Sequence, residues 1–248
     1  MKLIFLGVGE AADENYPNNS HLILSKTKLL LDCGSSVPPQ VWKYNDDQEF
    51  LDAVYISHSH ADHYFGIPSL LLRMFEENRK KPLTIICQKE VKEKIKILFD
   101  LGYPSTFKNL DFELKFIDAE ESKEIKFNEL KLEFALTTHG NPCLAVKVSD
   151  GKNSVCYIGD GGFNEKTKAL AKDSDLIIGE AYQFEKEEEG HSTVKKLLET
   201  AEKNNIKCLA LTHINRFVRR NEIEKIKEYI SKSKIKVIIA EPMEEYPF

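Results

Sequence analysis

Residues 54–63 read Val-Tyr-Ile-Ser-His-Ser-His-Ala-Asp-His, so an apolar run typical of a buried strand leads into three imidazoles and a carboxylate. Residues at i and i+2 of an extended segment point the same way, so His58 and His60 can converge on one metal ion. Asp62 and His63 lie in the turn that follows and can reach a second ion nearby. Nitrogen and carboxylate ligands together suit zinc, manganese or iron better than calcium. A polar loop whose histidines only satisfy hydrogen bonds is the alternative, which the density of the motif disfavours.

Three further polar residues, His139, Asp160 and His213, each come directly after an apolar, strand-like run. Taken alone, a His or Asp in such a place is more often structural than a metal ligand. Loops at strand ends, however, carry the chemistry of a rigid scaffold. Together with residues 54–63, the three residues therefore predict a metal site.

The His-x-His-x-Asp-His motif, followed by a His, an Asp and a last His, resembles the metallo-β-lactamase superfamily. The resemblance implies an α/β fold of four αββα layers, in which two mixed β-sheets pack face to face with helices outside. It also implies two divalent metal ions, Zn²⁺ first, with Mn²⁺ or Fe²⁺ as alternatives. Asp62 is counted both as a ligand and as a candidate catalytic residue. Residue by residue, the resemblance assigns one ion to His58, His60 and His139, the other to Asp62, His63 and His213, and a bridging position to Asp160.

A second set of motifs is similar to the ribonuclease Z branch: Gly-Glu-Ala-Tyr at 179–182, Gly-His-Ser-Thr at 190–193 and Leu-Thr-His at 211–213. In that branch the His of the His-Ser-Thr turn works beside the metals and is held by the Glu. The resemblance therefore implies that His191 is catalytic and that Glu180 orients it. A His held by a carboxylate can protonate a departing alkoxide. The alternative is that the His-Ser-Thr turn only caps the next helix while the His lies in solvent.

The chain departs from ribonuclease Z in one respect. Transfer-RNA processing members carry a long arm, rich in glycine and proline, that grips the tRNA, whereas only two predicted strands separate His139 from Asp160 here. The basic clusters, 79–81 and 216–220, are short, and the net charge is −5, so no global attraction to nucleic acid is expected. Each cluster is either a solvated helix end or a binding surface, and the second could reach a substrate phosphate. The resemblance is thus to ribonuclease Z without the tRNA-binding arm.

The composition, 42% hydrophobic and 30% charged in 248 residues, predicts a soluble globular protein with one domain over residues 1–248. Five scattered cysteines without a Cys-x-x-Cys pair argue against disulfides and zinc ribbons and favour the cytoplasm. Cys33 and His21 are predicted to be structural. The apolar start is interpreted as a first strand rather than a signal peptide, and no run is long enough to cross a membrane.

Short apolar runs predict a strand-rich chain in which strand and helix alternate towards the end, as in sheets packed together with helices outside. Helical periodicity is found over 91–99, 194–201 and 223–230, and Asn221 with Glu224 suggests a capping box for the last helix. The run Glu185–Glu189 is interpreted as a solvated loop. The predicted strands are 3–6, 21–24, 29–32, 53–57, 83–87, 112–117, 130–136, 144–148, 155–158, 176–178, 208–212 and 236–240.

The first functional hypothesis is a metal-dependent phosphodiesterase that uses a metal-bridging hydroxide on small or short phosphodiesters, such as cyclic nucleotides or RNA 3′ ends. A second hypothesis keeps the metals but hydrolyses thioesters, lactones or β-lactams, since the same nucleophile attacks carbonyl carbon. A third is a non-enzymatic metal or nucleotide sensor, which the complete ligand set disfavours. Neither a membrane nor a protein partner is indicated, a homodimer is compatible with the sequence, and tRNA processing is left open.

Overall fold

The structure is a computed structural model that describes residues 1–204 and 206–248. Its strands are β1 (Lys2–Gly7), β2 (Ser20–Leu24), β3 (Lys28–Leu31), β4 (Ala53–Ile56), β5 (Leu83–Cys87), β6 (Leu114–Asp118), β7 (Glu124–Phe127), β8 (Leu130–Leu136), β9 (Leu144–Ser149), β10 (Ser154–Tyr157), β11 (Leu176–Glu180), β12 (Cys208–Thr212), β13 (Lys236–Ile239) and β14 (Glu244–Pro247). Its helices are α1 (Pro38–Tyr44), α2 (Ala61–Tyr64), α3 (Ile67–Glu76), α4 (Lys89–Gly102), α5 (Glu165–Ala171), α6 (Val194–Lys203) and α7 (Arg216–Ile230), with a 3₁₀ turn at Thr106–Asn109.

The strands form two mixed sheets of seven strands each. The first has the order β14-β1-β2-β3-β4-β5-β6, and the second has the order β13-β12-β11-β10-β9-β8-β7. In each sheet an antiparallel meander leads into parallel strands: β3 to β6 are parallel in the first sheet, and β10 to β13 in the second. Helices make the crossovers between the parallel strands, as such connections require.

Three apolar clusters separate four layers. Side chains of both sheets interlock in the central cluster, for example Tyr55 from β4 stacked on Phe134 from β8. A second cluster lies between the first sheet and helices α1, α3 and α4, and a third lies between the second sheet and α5, α6 and α7. The αββα architecture of the metallo-β-lactamase fold is therefore confirmed, while the single-domain boundary stays a prediction.

The two arms of the chain that connects β1 with β2 lie very close to each other. A Cβ on Gly7 would lie 2.1 Å from the carbonyl oxygen of Asn18, and a Cβ on Gly9 would lie 2.3 Å from that of Tyr16. Only glycine permits this approach of the two arms of the loop. The amide of His213 donates to the carbonyl of Val8 at 2.9 Å, which ties the loop to the end of β12.

The predicted strands at 83–87, 130–136 and 208–212 have the observed bounds, and the others shift by one or two residues. The capping box at Asn221 was wrong. Helix α7 begins at Arg216, and its N-cap is Asn215, whose side chain accepts from the amide of Phe217 at 2.9 Å. Asn221 lies inside the helix, where its side chain donates to the carbonyl of Phe217.

The arginine of the 79–81 cluster does not lie at the surface. Arg79 is fully buried, and its guanidinium donates to the carbonyls of Gln48, Leu51, Lys81 and Pro82 at 2.6–2.9 Å. The glutamates of 185–189 are exposed, as predicted, and Cys33 and His21 are buried. None of the helices in residues 1–204 and 206–248 has the length and apolarity needed to span a membrane.

Candidate metal centre

The first group of potential ligands combines residues from both sheets. His58 and His60 follow β4, His139 follows β8 and Asp160 follows β10, and one donor atom from each lies within 4.8 Å of the others. Nδ1 of His60 is 3.1 Å from Nε2 of His139. Nε2 of His58 is 3.7 Å from a carboxylate oxygen of Asp160. The predicted convergence of His58 and His60 on one point is thus present, and His139 and Asp160 join them.

The second group shares Asp160 with the first and is buried throughout. Asp62 and His63, in α2, meet Asp160 and His213 with one donor atom each within 4.8 Å. Nε2 of His63 lies 3.2 Å from Asp62 and 3.3 Å from Asp160, and Nε2 of His213 lies 3.2 Å from Asp62. The chain therefore brings all seven predicted ligands together, with Asp160 between two groups of donors.

The donors suit a pair of divalent cations. Nε2 of His58, Nε2 of His63 and Oδ1 of Asp160 are buried and have no hydrogen-bonding partner among the described residues. Buried polar atoms are otherwise almost always paired, so three unpaired ones that face the same space are suited to ligating an ion. Imidazole with carboxylate is a donor set that zinc, manganese and iron accept. The residues present therefore fit the two-ion site that the resemblance implies.

Hydrogen bonds to the outer nitrogens orient the imidazoles. Nδ1 of His139 donates to the carbonyl of Gly190 at 2.7 Å, and Nδ1 of His63 lies 2.7 Å from the carboxylate of Asp32. A proton on Nδ1 leaves the lone pair of Nε2 directed into the cluster, which is how outer groups commonly fix metal-binding histidines.

Asp32 was not predicted from the sequence, although it follows the apolar strand β3 just as Asp160 follows β10. Its fully buried carboxylate also accepts from the hydroxyl of Tyr157 and from the amide and hydroxyl of Ser57, each at 2.7 Å. The residue has a φ of +60°, which Asp tolerates better than most side chains. Asp32 therefore fixes the imidazole of His63 at the end of the first sheet.

The ionisable side chains of the cluster shift one another's pKa values. Burial lowers the pKa of His58 well below its ordinary value, which keeps that imidazole neutral and able to ligate. Burial would also lower the pKa of His63, but the carboxylates of Asp160, Asp62 and Asp32 outweigh it and raise that pKa well above its ordinary value. Burial would raise the pKa of Asp160, but the charges of His213, His63 and His58 hold it well below its ordinary value.

A second ionisable pair borders the cluster. Glu180, fully buried at the end of β11, has its Oε1 2.5 Å from Nδ1 of His191 and its Oε2 2.5 Å from the amide of Gly161, from which it accepts. The ring of Tyr182 stacks on His191 with 4.3 Å between centroids. Donor atoms of His191, Glu180 and Asp160 lie within 4.8 Å of one another. Glu180 is thus placed to orient His191 beside Asp160.

The side chain of His191 is 22% exposed, so it is neither sealed in the core nor free in solvent. Burial lowers its pKa, but the hydrogen bond and charge of Glu180 raise it above the ordinary value. Thr193 also caps α6, since its hydroxyl accepts from the amide of Lys196 at 3.1 Å. The His-Ser-Thr turn therefore both caps a helix and presents an imidazole to the cluster. Tyr182 is a further site residue that no signal beyond the Glu-Ala-Tyr motif would have revealed.

Known proteins share this fold and part of this sequence. The chain is 28% identical over 275 residues to a ribonuclease Z of Methanosarcina mazei, covering 87% of this chain and 88% of the relative. The metallo-β-lactamase fold protein YhfI of Bacillus subtilis superposes with a TM-score of 0.83 at 23% identity, covering 99% of this chain and 98% of the other. The short form of human tRNase Z superposes with a TM-score of 0.79 at 22% identity, covering 100% and 99%.

These likenesses agree with the metallo-β-lactamase superfamily and its ribonuclease Z-like branch, which the motifs had indicated. A narrower family model covers nearly the whole chain. The model described as Anti-Pycsar protein Apyc1 matches residues 1–241, and the chain therefore belongs to the Apyc1 family of anti-Pycsar proteins.

Proposed function

We propose that the chain is a metal-dependent phosphodiesterase that hydrolyses small or short phosphodiesters, such as cyclic nucleotides or RNA 3′ ends. The observation that carries the proposal is the Glu180–His191 pair beside a twin set of metal donors that share Asp160. The name ribonuclease Z, borne by a relative that aligns over most of this chain, supports phosphorus as the centre attacked.

Different residues perform different parts of the proposed reaction. His58, His60 and His139 would hold one divalent ion, and Asp62, His63 and His213 would hold the other, with Asp160 shared by both groups. Ions bound there would supply an activated water and neutralise phosphate charge. His191 then donates a proton to the leaving oxygen. Glu180 is a positioning residue, because its buried carboxylate fixes the imidazole and favours the protonated form.

The leaving group separates this proposal from carbonyl hydrolysis. An alkoxide needs a proton as it departs, whereas a thiolate or p-nitrophenolate leaves without one. A dedicated acid is therefore of most use to an alkyl phosphodiester. A screen of metal-loaded protein against cyclic nucleotides, bis-p-nitrophenyl phosphate, thioesters and lactones should give turnover of the phosphodiesters. Turnover of thioesters or lactones alone would support the second hypothesis, and no turnover at all would support a sensor.

His191→Ala tests the acid directly. We expect the variant to lose roughly 10²–10⁴-fold in kcat with an alkyl phosphodiester and much less with a p-nitrophenyl ester, at unchanged metal content. The two leaving groups serve as controls for each other in the same preparation. Loss of a metal ion, or an unchanged rate with the alkyl substrate, contradicts the assignment.

Two ions per chain are expected, since seven convergent donors are too many for one tetrahedral zinc. Elemental analysis after metal loading should give a stoichiometry near two in the wild type, and a lower one in Asp62→Ala or His213→Ala. A wild-type value that stays near one, together with no change in either variant, contradicts a dinuclear site.

The proposed substrates are small because surfaces for a folded RNA are lacking in the expected places. Between His139 and Asp160 the chain forms only β9 and β10. In the second basic cluster, Arg216, Arg219 and Arg220 each contact a glutamate, so their charge is already balanced. We expect weak binding and poor cleavage of precursor tRNA. Efficient 3′ processing, with an affinity that falls steeply as salt rises, contradicts this expectation.

A further inference from the structure

The first group of donors depends on two loops that come from different sheets. His58 and His60 follow β4 in the first sheet, whereas His139 follows β8 in the second. Nδ1 of His60 lies 3.1 Å from Nε2 of His139, so the distance between the two loops decides whether the imidazoles converge. Two sets of side-chain hydrogen bonds, both anchored at α4, join these loops to each other.

Gln88, which follows β5 and precedes α4, makes the first connection. Its Nε2 donates to the carbonyl of Ser57 at 3.1 Å and to the carbonyl of Pro142 at 2.8 Å, so one amide group bonds to both loops. A side-chain amide nitrogen has two N–H groups, and both are used here. Gln88 is the N-cap residue of α4, but its side chain makes no cap hydrogen bond. Its amide therefore serves the loops rather than the helix.

The second connection meets at the hydroxyl of Ser59, which lies between the two histidines that follow β4. Its Oγ accepts from Nδ2 of Asn141 at 3.0 Å and from Nζ of Lys94 at 2.8 Å. Asn141 lies two residues after the histidine of the second sheet. Lys94, on the second turn of α4, is also paired with Glu90 one turn earlier at 2.5 Å. One oxygen atom thus ties the loop of the first sheet both to α4 and to the loop of the second sheet.

Helix α4 is a firm base for both connections. Its buried face, formed by Val91, Ile95 and Phe99, packs into the apolar cluster outside the first sheet. A side chain anchored on a packed helix holds its partners more precisely than one anchored on a loop. The position of α4 therefore helps to set the distance between the two ligand loops.

The second group of donors is held by other contacts. The carboxylate of Asp32 holds His63, and the carbonyl of Val8 accepts from the amide of His213. Within the described part of the chain, neither Gln88 nor any side chain of α4 hydrogen-bonds to the second group. The two connections therefore act directly on one group of donors only.

We propose that Gln88 and the Lys94–Ser59–Asn141 chain are positioning residues for one of the two ions. They hold the first group of donors together before the ion binds, and so raise the affinity for that ion without contacting it. Outer partners of metal ligands commonly change metal affinity by about 10- to 100-fold. The inference rests on the two-ion site of the proposed function and deepens it, since it assigns the two ions separate supports.

Affinities for Zn²⁺ and Co²⁺, measured by competition with a chromophoric chelator, test the inference without turnover. Gln88→Met removes both N–H donors at a similar side-chain length, and Ser59→Ala removes the shared hydroxyl. Each should weaken one ion by about 10- to 100-fold and leave the other unchanged. Ser59→Thr keeps the hydroxyl and should retain the wild-type affinities. Ser59→Ala deletes one atom at a half-buried position, so it carries the test if Gln88→Met fails to fold.

His213→Ala separates the two groups, because it removes a donor from the second group only. In that background Gln88→Met should still weaken the remaining ion, whereas in the His139→Ala background it should have no further effect. This comparison does not require two ions in the wild type. A wild-type stoichiometry of one therefore contradicts the dinuclear site of the proposed function, while the connections are judged separately by the His213→Ala pair.

Gln40→Met is the matched control, because Gln40 lies in α1, in the same helical layer as α4, and is also partly buried. It should leave both affinities unchanged. Equal weakening of both ions by Gln88→Met and by Ser59→Ala overturns the inference. Unchanged affinities in both variants, with a metal-free protein that unfolds at lower urea concentration, also overturn it, since the connections would then be purely structural.

Discussion

Glu180→Gln is expected to weaken catalysis through His191 without disturbing the fold around it. The carboxylate uses its two oxygens separately, one on Nδ1 of His191 and one on the amide of Gly161, both at 2.5 Å. An amide of the same size has only one acceptor oxygen, so its NH₂ group must face one of these two donors. Either the imidazole or the Gly161 turn therefore loses its partner.

The size of the effect follows from the bond that is lost. A hydrogen bond to a charged partner contributes about 1.5–3 kcal/mol, which corresponds to a rate loss of about 10- to 100-fold if it acts on the protonated imidazole in the transition state. The loss should appear in kcat with a dinucleoside monophosphate, whose leaving group is an alkoxide. It should be much smaller with a nucleoside p-nitrophenyl phosphate, whose leaving group needs no proton.

Metal content must be measured in the same samples, because Glu180 also lies 3.3 Å from Nδ1 of His213. Glu188→Gln is the matched control: the residue is exposed, belongs to the same loop as His191, and among the described residues its carboxylate accepts only from Gln183. It should leave both rates unchanged. Equal losses with both leaving groups in Glu180→Gln would refute the positioning role, and so would loss of a metal ion.

The remaining predictions concern stability. Removing metal with a chelator should lower Tm, because the candidate ligands come from both sheets. Ions present at a thousandfold excess over Kd would add about 4 kcal/mol to the free energy of unfolding. An unchanged Tm in calorimetry would contradict the site. Arg79→Met should reduce the free energy of unfolding by about 3 kcal/mol or more in urea, since four carbonyls lose a buried donor, whereas exposed Lys80→Met should change it little. Burial would raise the pKa of Glu129, but hydrogen bonds from Ser25 and Thr27 lower it to about 2. The ionised carboxylate should therefore stabilise the fold by about 1–2 kcal/mol above its unfolded pKa. That contribution should be lost as pH falls through about 2, so the gap between wild type and Glu129→Gln should close in acid; a constant gap would contradict it.

The convergence of the seven candidate ligands could be anticipated because the local sequence around each of them carries the signal. Each follows an apolar strand, and strand ends can be recognised from one sequence. Asp32 has the same signal, but its role depends on Tyr157 and Ser57, which only the fold brings to it. A single carboxylate after a strand does not indicate which imidazole it will hold.

Elements whose stability comes from their neighbours were the ones missed. Strand β7 has one buried side chain, Ile125, and edge strand β14 contains Pro247, so neither shows the apolar run of a central strand. Helix α3 was missed although Leu70, Leu71 and Met74 form its buried face. The apparent capping box at Asn221 has the right residue spacing, but α7 starts five residues earlier, where Asn215 caps it shortly after His213, a residue with a φ of +52° that directly follows β12.

Charge counting indicates why a diester suits this centre better than a monoester. Asp62 and Asp160 supply two negative charges within the donor groups, and Asp32 supplies a third through His63. Glu180 and a protonated His191 cancel each other. Two divalent ions would therefore leave about one positive charge, which the hydroxide that attacks phosphorus would balance. A phosphodiester then adds one negative charge to the buried centre and a dianionic monoester adds two, and uncompensated charge in a buried site is costly.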